Sequence, residues 1–463
     1  MKGFYRYFKL NPALLFVSSF FILVALGTLL LLLPFSTYTN ISFIDALFTS
    51  TSASCVTGLV VVDTSATFTI WGQTFILLLI QLGGLGVLTF ASSFSHFFKM
   101  GSSYENQIVL SSIASINKLG DVFKTLKNIL GITLFLEAIG AFFIYSSLSK
   151  ALIPSLFDRV YLSVFHSISA FCNAGFSTLP QGIMEDGFVY NYPFQLSLIS
   201  LLVIGGLGFP VVINILKYIK HLFKVLLGKI KSEKDLYRPR ILTLGTKINL
   251  ITVVVLIVVG TLFILFNEYN NVLSTHQEVG KWVTALFTAT SPRTAGFNSI
   301  NYNELRLSSL LVIIMLMWIG ASPASTGGGI KTSTFAVAIL NIINLAQGKK
   351  AIELGRRKIA DITVSRAFAT IMLSLIVISL GVLSISFFDS NLRLLDIVFE
   401  CVSAYSTVGL SLGVTADISS ASKFIVILLM FTGRITMLTV VIAFIKKVRT
   451  TSYRYPSEEI LIN

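Results

Sequence analysis

Ser52-Ala53-Ser54-Cys55-Val56-Thr57-Gly58-Leu59 closes a short, weakly apolar segment, and its pattern returns three times along the chain. The copies are Ser169-Ala170-Phe171-Cys172-Asn173-Ala174-Gly175-Phe176, Thr290-Ser291-Pro292-Arg293-Thr294-Ala295-Gly296-Phe297 and Ser403-Ala404-Tyr405-Ser406-Thr407-Val408-Gly409-Leu410. Gly58, Gly175, Gly296 and Gly409 are separated by 117, 121 and 113 residues, each close to a quarter of the 463-residue chain. Self-similarity at a fixed spacing marks a repeated structural unit. Phe48, Phe165, Leu286 and Phe399 stand ten residues before the glycines, and Ser52, Ser169, Thr290 and Ser403 stand six before. The alignment therefore predicts one phase in all four copies.

The surroundings of these copies are apolar. Hydrophobic residues make up 54% of the chain and charged residues 12%, with a mean hydropathy of +0.83. Soluble domains carry about 25% charged residues, so the composition excludes several soluble domains and a disordered chain. Three scattered cysteines exclude a disulfide framework and paired zinc ligands. The net charge of +14 would suit nucleic acid only if gathered on a solvent face. Here the charges punctuate apolar runs instead, and no nucleic-acid partner is expected.

Apolar runs at 12–35, 71–98, 129–148, 193–216, 248–266, 308–345, 367–388 and 422–445 approach the roughly 20 residues a membrane-crossing helix needs. They read as eight spans. The first is too long for a signal peptide and lacks a small-residue cleavage site. Of 35 Lys and Arg, 26 fall in the N-terminus, the 99–127, 217–247 and 346–366 connections and the 446–463 tail, against seven in the other connections. By the positive-inside rule both termini are cytoplasmic. The basic side also suits attraction to anionic lipid headgroups. Twelve carboxylates on the opposite side, Asp63 and Glu185 among them, predict an outer vestibule that concentrates cations.

Each quarter reads as an apolar span, a half-length segment ending at the glycine, and a second span. The half-length segments, 43–55, 160–172, 282–292 and 396–406, would be about 16–20 Å long as helices, too short for a roughly 30 Å core. They suit re-entrant loops, which a membrane tolerates only where they line water or are buried in protein. Glycine can take φ > 0 and turn successive carbonyls toward an axis, as in filters that replace a cation's hydration shell.

These residues resemble the Trk/Ktr/HKT potassium transporters over nearly the whole chain. The resemblance rests on Cys-Val-Thr-Gly-Leu at 55–59, Cys-Asn-Ala-Gly-Phe at 172–176, Arg-Thr-Ala-Gly-Phe-Asn at 293–298 and Ser-Thr-Val-Gly-Leu at 406–410. With no extra helix pair ahead of the first unit, the chain looks most like the Ktr-type membrane subunit. The expectation is an all-α integral membrane protein of four tandem M1-P-M2 units, with eight spans and four re-entrant pore loops in pseudo-fourfold symmetry around one pore. The units are placed at 1–100, 101–220, 248–347 and 348–446, with a basic cytoplasmic linker at 221–247 and a cytoplasmic tail at 447–463. Carbonyls of Val56, Thr57, Gly58, Asn173, Ala174, Gly175, Thr294, Ala295, Gly296, Thr407, Val408 and Gly409 would line the filter.

The resemblance implies potassium, because in the family a serine in place of the first-loop glycine goes with sodium, and position 58 is glycine. Sodium is a candidate coupling ion, and no cofactor is expected in this chain. A homodimer resting on a cytoplasmic ring of nucleotide-binding regulatory subunits is likewise implied by the resemblance alone. The alternative is a sodium or poorly selective cation transporter of the same architecture. No catalytic set is visible; Glu137, Lys331 and Arg434 are the ionisable residues identified within spans.

Leu305 to Gln347 would be about 64 Å long as one helix, twice the hydrocarbon thickness. It is interrupted by Gly320-Ala321-Ser322-Pro323-Ala324-Ser325-Thr326-Gly327-Gly328-Gly329-Ile330-Lys331, where proline and three glycines break a helix. A loop under the filter would obstruct the pore and move aside, and the resemblance implies the same, since the family carries an intramembrane gating loop here; the alternative is a static kink with no gating role. The gating loop's residues would be Gly320, Ser325, Thr326, Gly327, Gly328, Gly329 and Lys331. Gly-Gly-Gly-Ile-Lys-Thr is not a phosphate-binding loop, which needs glycine directly before the lysine. Arg434, 25 residues after Gly409, falls at the same depth as Gly320 and reads as a barrier in the conduction path, the role of a last-span arginine in the family. The alternative is a packing partner of a carboxylate or of the loop's carbonyls. Gly83-Gly84-Leu85-Gly86 and Gly205-Gly206-Leu207-Gly208 read as close helix packing, with a hinge as the alternative. Glu137 reads as a hydrogen-bonded structural carboxylate, with an ion or proton site as the alternative, His166 as structural, and Cys55 and Cys172 as small helix residues.

Overall fold

The computed structural model describes residues 12–97, 122–226, 242–349, 351–354, 357–435 and 437–444. The basic N-terminus, residues 227–241 of the basic linker and the expected tail lie outside the described residues. The first quarter consists of α1 (Pro12–Leu31), α2 (Phe43–Cys55), the single turn α3 (Thr64–Thr67) and α4 (Ile70–Phe97). The second holds α5 (Val122–Ser147), α6 (Leu156–Phe171), α7 (Tyr192–Gly206) and α8 (Phe209–Leu226). The third holds α9 (Leu244–Glu268), α10 (Glu278–Thr290), α11 (Leu307–Trp318) and α12 (Thr332–Ala346). The fourth holds α13 (Asp361–Phe388), α14 (Leu394–Ser406), α15 (Ser420–Ile435) and α16 (Met437–Phe444). Between the third and fourth quarters, β1 (Glu353–Leu354) and β2 (Arg357–Lys358) form a two-stranded antiparallel pair.

Among the described residues, Lys127–Ser147, Leu244–Glu268 and Asp361–Phe388 are long and apolar enough to cross a membrane unaided. The pair α7 and α8 passes the same test but is bent by 104°. The expected single span 193–216 is therefore two helices. At the bend Gly208 takes φ +81, and a Cβ there would lie 2.5 Å from the carbonyl oxygen of Pro323. The equivalent glycines of the first quarter stay within the unbroken α4, where a Cβ on Gly83 would meet the Ser54 carbonyl oxygen at 2.0 Å. The packing reading holds for α4, and at Gly208 the second quarter bends instead.

The half-length helices α2, α6, α10 and α14 each carry an acidic residue in their first turn: Asp45, Asp158, Glu278 and Asp396. Carboxylates there offset the positive end of the helix dipole, and Ser42 and Ser155 cap the free amides of α2 and α6. The negative ends of all four helices lead into the glycine loops. Their phenylalanines Phe48, Phe165, Phe287 and Phe399 are completely buried. Phe287 takes the place assigned to Leu286, because the third copy has one residue fewer before its glycine.

The first and fourth quarters meet where Lys423 Nζ of α15 lies 2.9 Å from Asp45 Oδ1 of α2, both side chains largely shielded. A partly buried pair of this kind is worth about 1 kcal/mol, with a larger penalty when one partner is left alone. Asp45→Asn and Lys423→Met should each lower the thermal unfolding midpoint in detergent. The double variant should lose less than the two single losses added together; strictly additive losses would show that the pair does not couple the quarters.

Candidate functional site

The four glycine loops meet in one ring. A Cβ on Gly58 would come 2.4 Å from the Ala174 carbonyl oxygen, on Gly175 2.9 Å from that of Ala295, on Gly296 2.5 Å from that of Val408, and on Gly409 2.2 Å from that of Thr57. Each glycine thus abuts the residue before the next glycine in chain order, and the fourth abuts the first. The loops share a backbone turn: Val56, Asn173, Thr294 and Thr407 have φ of 58°, 60°, 65° and 50°, while Gly58, Gly175, Gly296 and Gly409 have 93°, 70°, 75° and 92°. Positive φ at a β-branched residue is costly and persists only where the surroundings enforce it. Val56, Thr57, Asn173, Ala174, Thr294, Ala295, Thr407 and Val408 are all buried.

Serines hold the turns. Gly58 N donates to Ser52 Oγ at 3.1 Å and Gly409 N to Ser403 Oγ at 3.2 Å. Ser169 Oγ donates to the Phe176 carbonyl at 2.8 Å. In the third loop Ser291, not Thr290, donates to the Phe297 carbonyl, the same one-residue shift that brings Phe287 inward.

Outside the ring lies a vestibule of about 430 Å³ whose lining includes Gly58, Gly175, Gly296 and Gly409. Of the twelve outer carboxylates, Asp63 stands in that lining. Others are committed elsewhere: Asp45 to Lys423, Asp396 to Arg393, and Glu278 to Lys281. Glu268 accepts from Arg306 N and Ser309 Oγ, and Glu400 from Thr415 Oγ1. Asp63 is thus the one outer carboxylate in the lining itself. In the outer loop nearby, burial and then the Asp186 and Asp63 charges hold the Glu185 carboxyl above its ordinary pKa.

On the other side, residues 319–331 separate α11 from α12 and pack against the ring. Ile319 and Ile330 pair in parallel and close the loop's ends. Gly328 N donates to Thr407 Oγ1 at 2.9 Å, and a Cβ on Gly327 would lie 2.0 Å from Thr294 Oγ1. Thr326 Oγ1 lies 3.4 Å from Asn173 Oδ1. A Cβ on Gly320 would meet the Gly328 carbonyl at 2.3 Å. Ser325 and Thr326 are buried, and Lys331 Nζ folds back onto the Gly327 carbonyl at 2.6 Å. The loop also grips the second quarter, through Ser322 N to the Gly206 carbonyl at 3.0 Å and Phe209 N to the Ala324 carbonyl at 3.2 Å.

Arg434 is buried and donates Nη1 to the Thr326 carbonyl and Nη2 to the Gly83 carbonyl. It ties the loop to α4, joining three quarters at one point. Glu137 is bonded by Gln81 Nε2 at 3.3 Å, with Cys172 Sγ at 4.0 Å, and His166 bridges the Leu162 carbonyl and Ser177 Oγ. Cys55, Cys172 and Cys401 are buried free thiols. Sequence reasoning missed the burial of Arg293, in the third glycine loop, and of Glu400, on the short apolar α14.

The profile of the TrkH family, described as a cation transport protein, matches residues 7–454. The Ktr system potassium uptake protein B of Bacillus subtilis is 35% identical over 98% of this chain and 97% of its own length. The potassium/sodium uptake protein NtpJ of Enterococcus hirae is 33% identical over 98% of each. The crystal structure of the potassium transporter TrkH from Vibrio parahaemolyticus has the same fold, with a TM-score of 0.70 and 19% identity over 93% of this chain and 83% of that one. The chain therefore belongs to the TrkH family of cation transport proteins, as a multi-pass membrane transporter of the Ktr type and not an enzyme.

Proposed function

We propose that this chain carries potassium into the cell through a filter formed by Val56–Gly58, Asn173–Gly175, Thr294–Gly296 and Thr407–Gly409. The closed ring of four glycine turns carries this reading. Its carbonyls replace the ion's hydration shell, and the negative ends of α2, α6, α10 and α14 favour a cation there. Inward movement is driven by the membrane potential, about 2.3 kcal/mol per charge per 100 mV. The architecture is four M1-P-M2 units with eight spans and both termini in the cytoplasm. The loop 319–331, held by Arg434 and Lys331, obstructs the path below the filter and is the gate. Homodimerisation, a cytoplasmic regulatory ring and sodium coupling complete the proposal; the Ktr name carried by the Bacillus relative supports the ring.

A poorly selective or sodium-carrying transporter is the second reading. It is favoured by the unequal side chains at the first filter position, Val56, Asn173, Thr294 and Thr407, and by the potassium/sodium name of the Enterococcus relative. Uptake in cells lacking their own potassium systems separates the two. The parent should restore growth at low potassium, and Gly58→Ser should leak sodium, since a side chain at φ +93 pushes on the Ala174 carbonyl. Unchanged ion preference in Gly58→Ser would remove position 58 from the filter.

A further inference from the structure

We propose that α8 lies on the anionic cytoplasmic leaflet of the membrane and acts as a lever on the loop 319–331. The inference rests on the transport reading for its consequence but not for the placement of the helix. At 100° per residue, Val212, Ile215, Leu216, Ile219, Leu222 and Phe223 of α8 share one arc, and Lys217, Lys220 and Lys224 share another, roughly opposite. On the apolar arc Leu216 is 46% exposed, Ile219 41%, Leu222 55% and Phe223 58%. A helix with this division suits an interface, with its apolar arc among acyl chains and its lysines at anionic headgroups.

The depth agrees. The 15 residues of α7 rise about 22 Å from Tyr190 and Tyr192, aromatic residues of the kind that sit at headgroup level. That leaves about 8 Å of a roughly 30 Å core, which is the depth of an interfacial helix. The 104° bend then turns α8 along the surface instead of across the last stretch of membrane. Snorkelling lysine stems cover the remaining distance to the headgroups.

The bend is also where the loop is held. Ser322 N bonds to the Gly206 carbonyl, Phe209 N bonds to the Ala324 carbonyl, and Gly208 abuts Pro323 and Ala324. Gly206 ends α7 and Phe209 begins α8, so any tilt of α8 on the leaflet moves Phe209 relative to Gly206 and strains the loop between its two bonds on either side of Pro323. Stronger attraction of Lys217, Lys220 and Lys224 to the leaflet should therefore change how firmly the loop is seated.

The test uses the full chain in vesicles of phosphatidylcholine with or without phosphatidylglycerol. Spin labels are placed at Phe223→Cys and, on the polar arc, at His221→Cys; the native thiols are buried. The label at 223 should be at least about threefold less accessible to a water-soluble nickel chelate than that at 221, and more accessible to oxygen. Equal exposure of both labels to water would overturn the placement and point to a protein partner for the apolar arc. Potassium flux in the parent should vary with phosphatidylglycerol content, and that dependence should vanish in Lys217→Gln/Lys220→Gln/Lys224→Gln. A triple variant that keeps the parent's lipid dependence would overturn the lever. The labels report on the helix whether or not potassium is the ion carried, so failure of the transport reading shows separately as absent flux with the label contrast intact.

Discussion

Gly409→Ala is expected to cut potassium uptake by more than about tenfold and to erase its preference over sodium, with the protein still in the membrane. The substitution meets two obstacles at once. Position 409 has φ +92, which an L side chain enters at a cost of about 1–2 kcal/mol. Its Cβ would also lie 2.2 Å from the Thr57 carbonyl oxygen and 2.9 Å from Gly58 Cα, both backbone atoms. Backbone cannot rotate away as a side-chain end can, so the first loop must shift, and its carbonyls leave the positions proposed to coordinate the ion. About 1.4 kcal/mol lost at such a site is a factor of ten. Gly348→Ala is the control: position 348 has φ +67 but nothing lies within 4 Å of its Cβ. It should cost stability without changing ion preference. If the two variants transport alike, backbone strain alone explains Gly409 and the ring contact has no bearing on flux.

The ring was legible because its signal is periodic. Four glycines in phase, each ending a segment too short to cross a membrane, place the turns without knowledge of what they touch. What escaped the sequence depends on contacts between quarters. Gly83-Gly84-Leu85-Gly86 and Gly205-Gly206-Leu207-Gly208 read alike, yet α4 continues while α7 stops, because the loop 319–331 docks its backbone on Gly206 and Phe209 and Arg434 takes the Gly83 carbonyl instead. The shift in the third copy was invisible for a simpler reason. Leu286 and Phe287 are both apolar, and Thr290 and Ser291 both carry hydroxyls, so an alignment on Gly296 accepts either pair. A count of outer carboxylates does not say which of them line the vestibule: it cannot tell Asp63, which faces it, from Glu268, which is spent on Ser309 and the Arg306 amide.

Deleting Thr326 to Gly329 is expected to raise potassium flux by about tenfold in a protein that still inserts. The segment is held to the ring by Thr407 Oγ1 on Gly328 N and to α15 and α4 by Arg434 on the Thr326 carbonyl, while Lys331 closes the loop on itself at the Gly327 carbonyl. A charge-assisted hydrogen bond is worth about 1.5–3 kcal/mol, so Arg434 alone can shift an open and closed balance by a factor of ten or more. Arg434→Ala should therefore also raise flux, by freeing the loop or by removing a cation from beside the proposed path. The double variant decides between a shared obstruction and two separate ones. If Arg434 acts through the loop, the deletion already contains its effect, and adding Arg434→Ala changes flux little. If Arg434 is an independent electrostatic barrier, the two increases multiply. Either pattern supports the loop as the proposed gate. A deletion that inserts and folds but carries no more potassium than the parent would make 319–331 a fixed kink, and Arg434 a packing residue that joins α15, α4 and the third quarter.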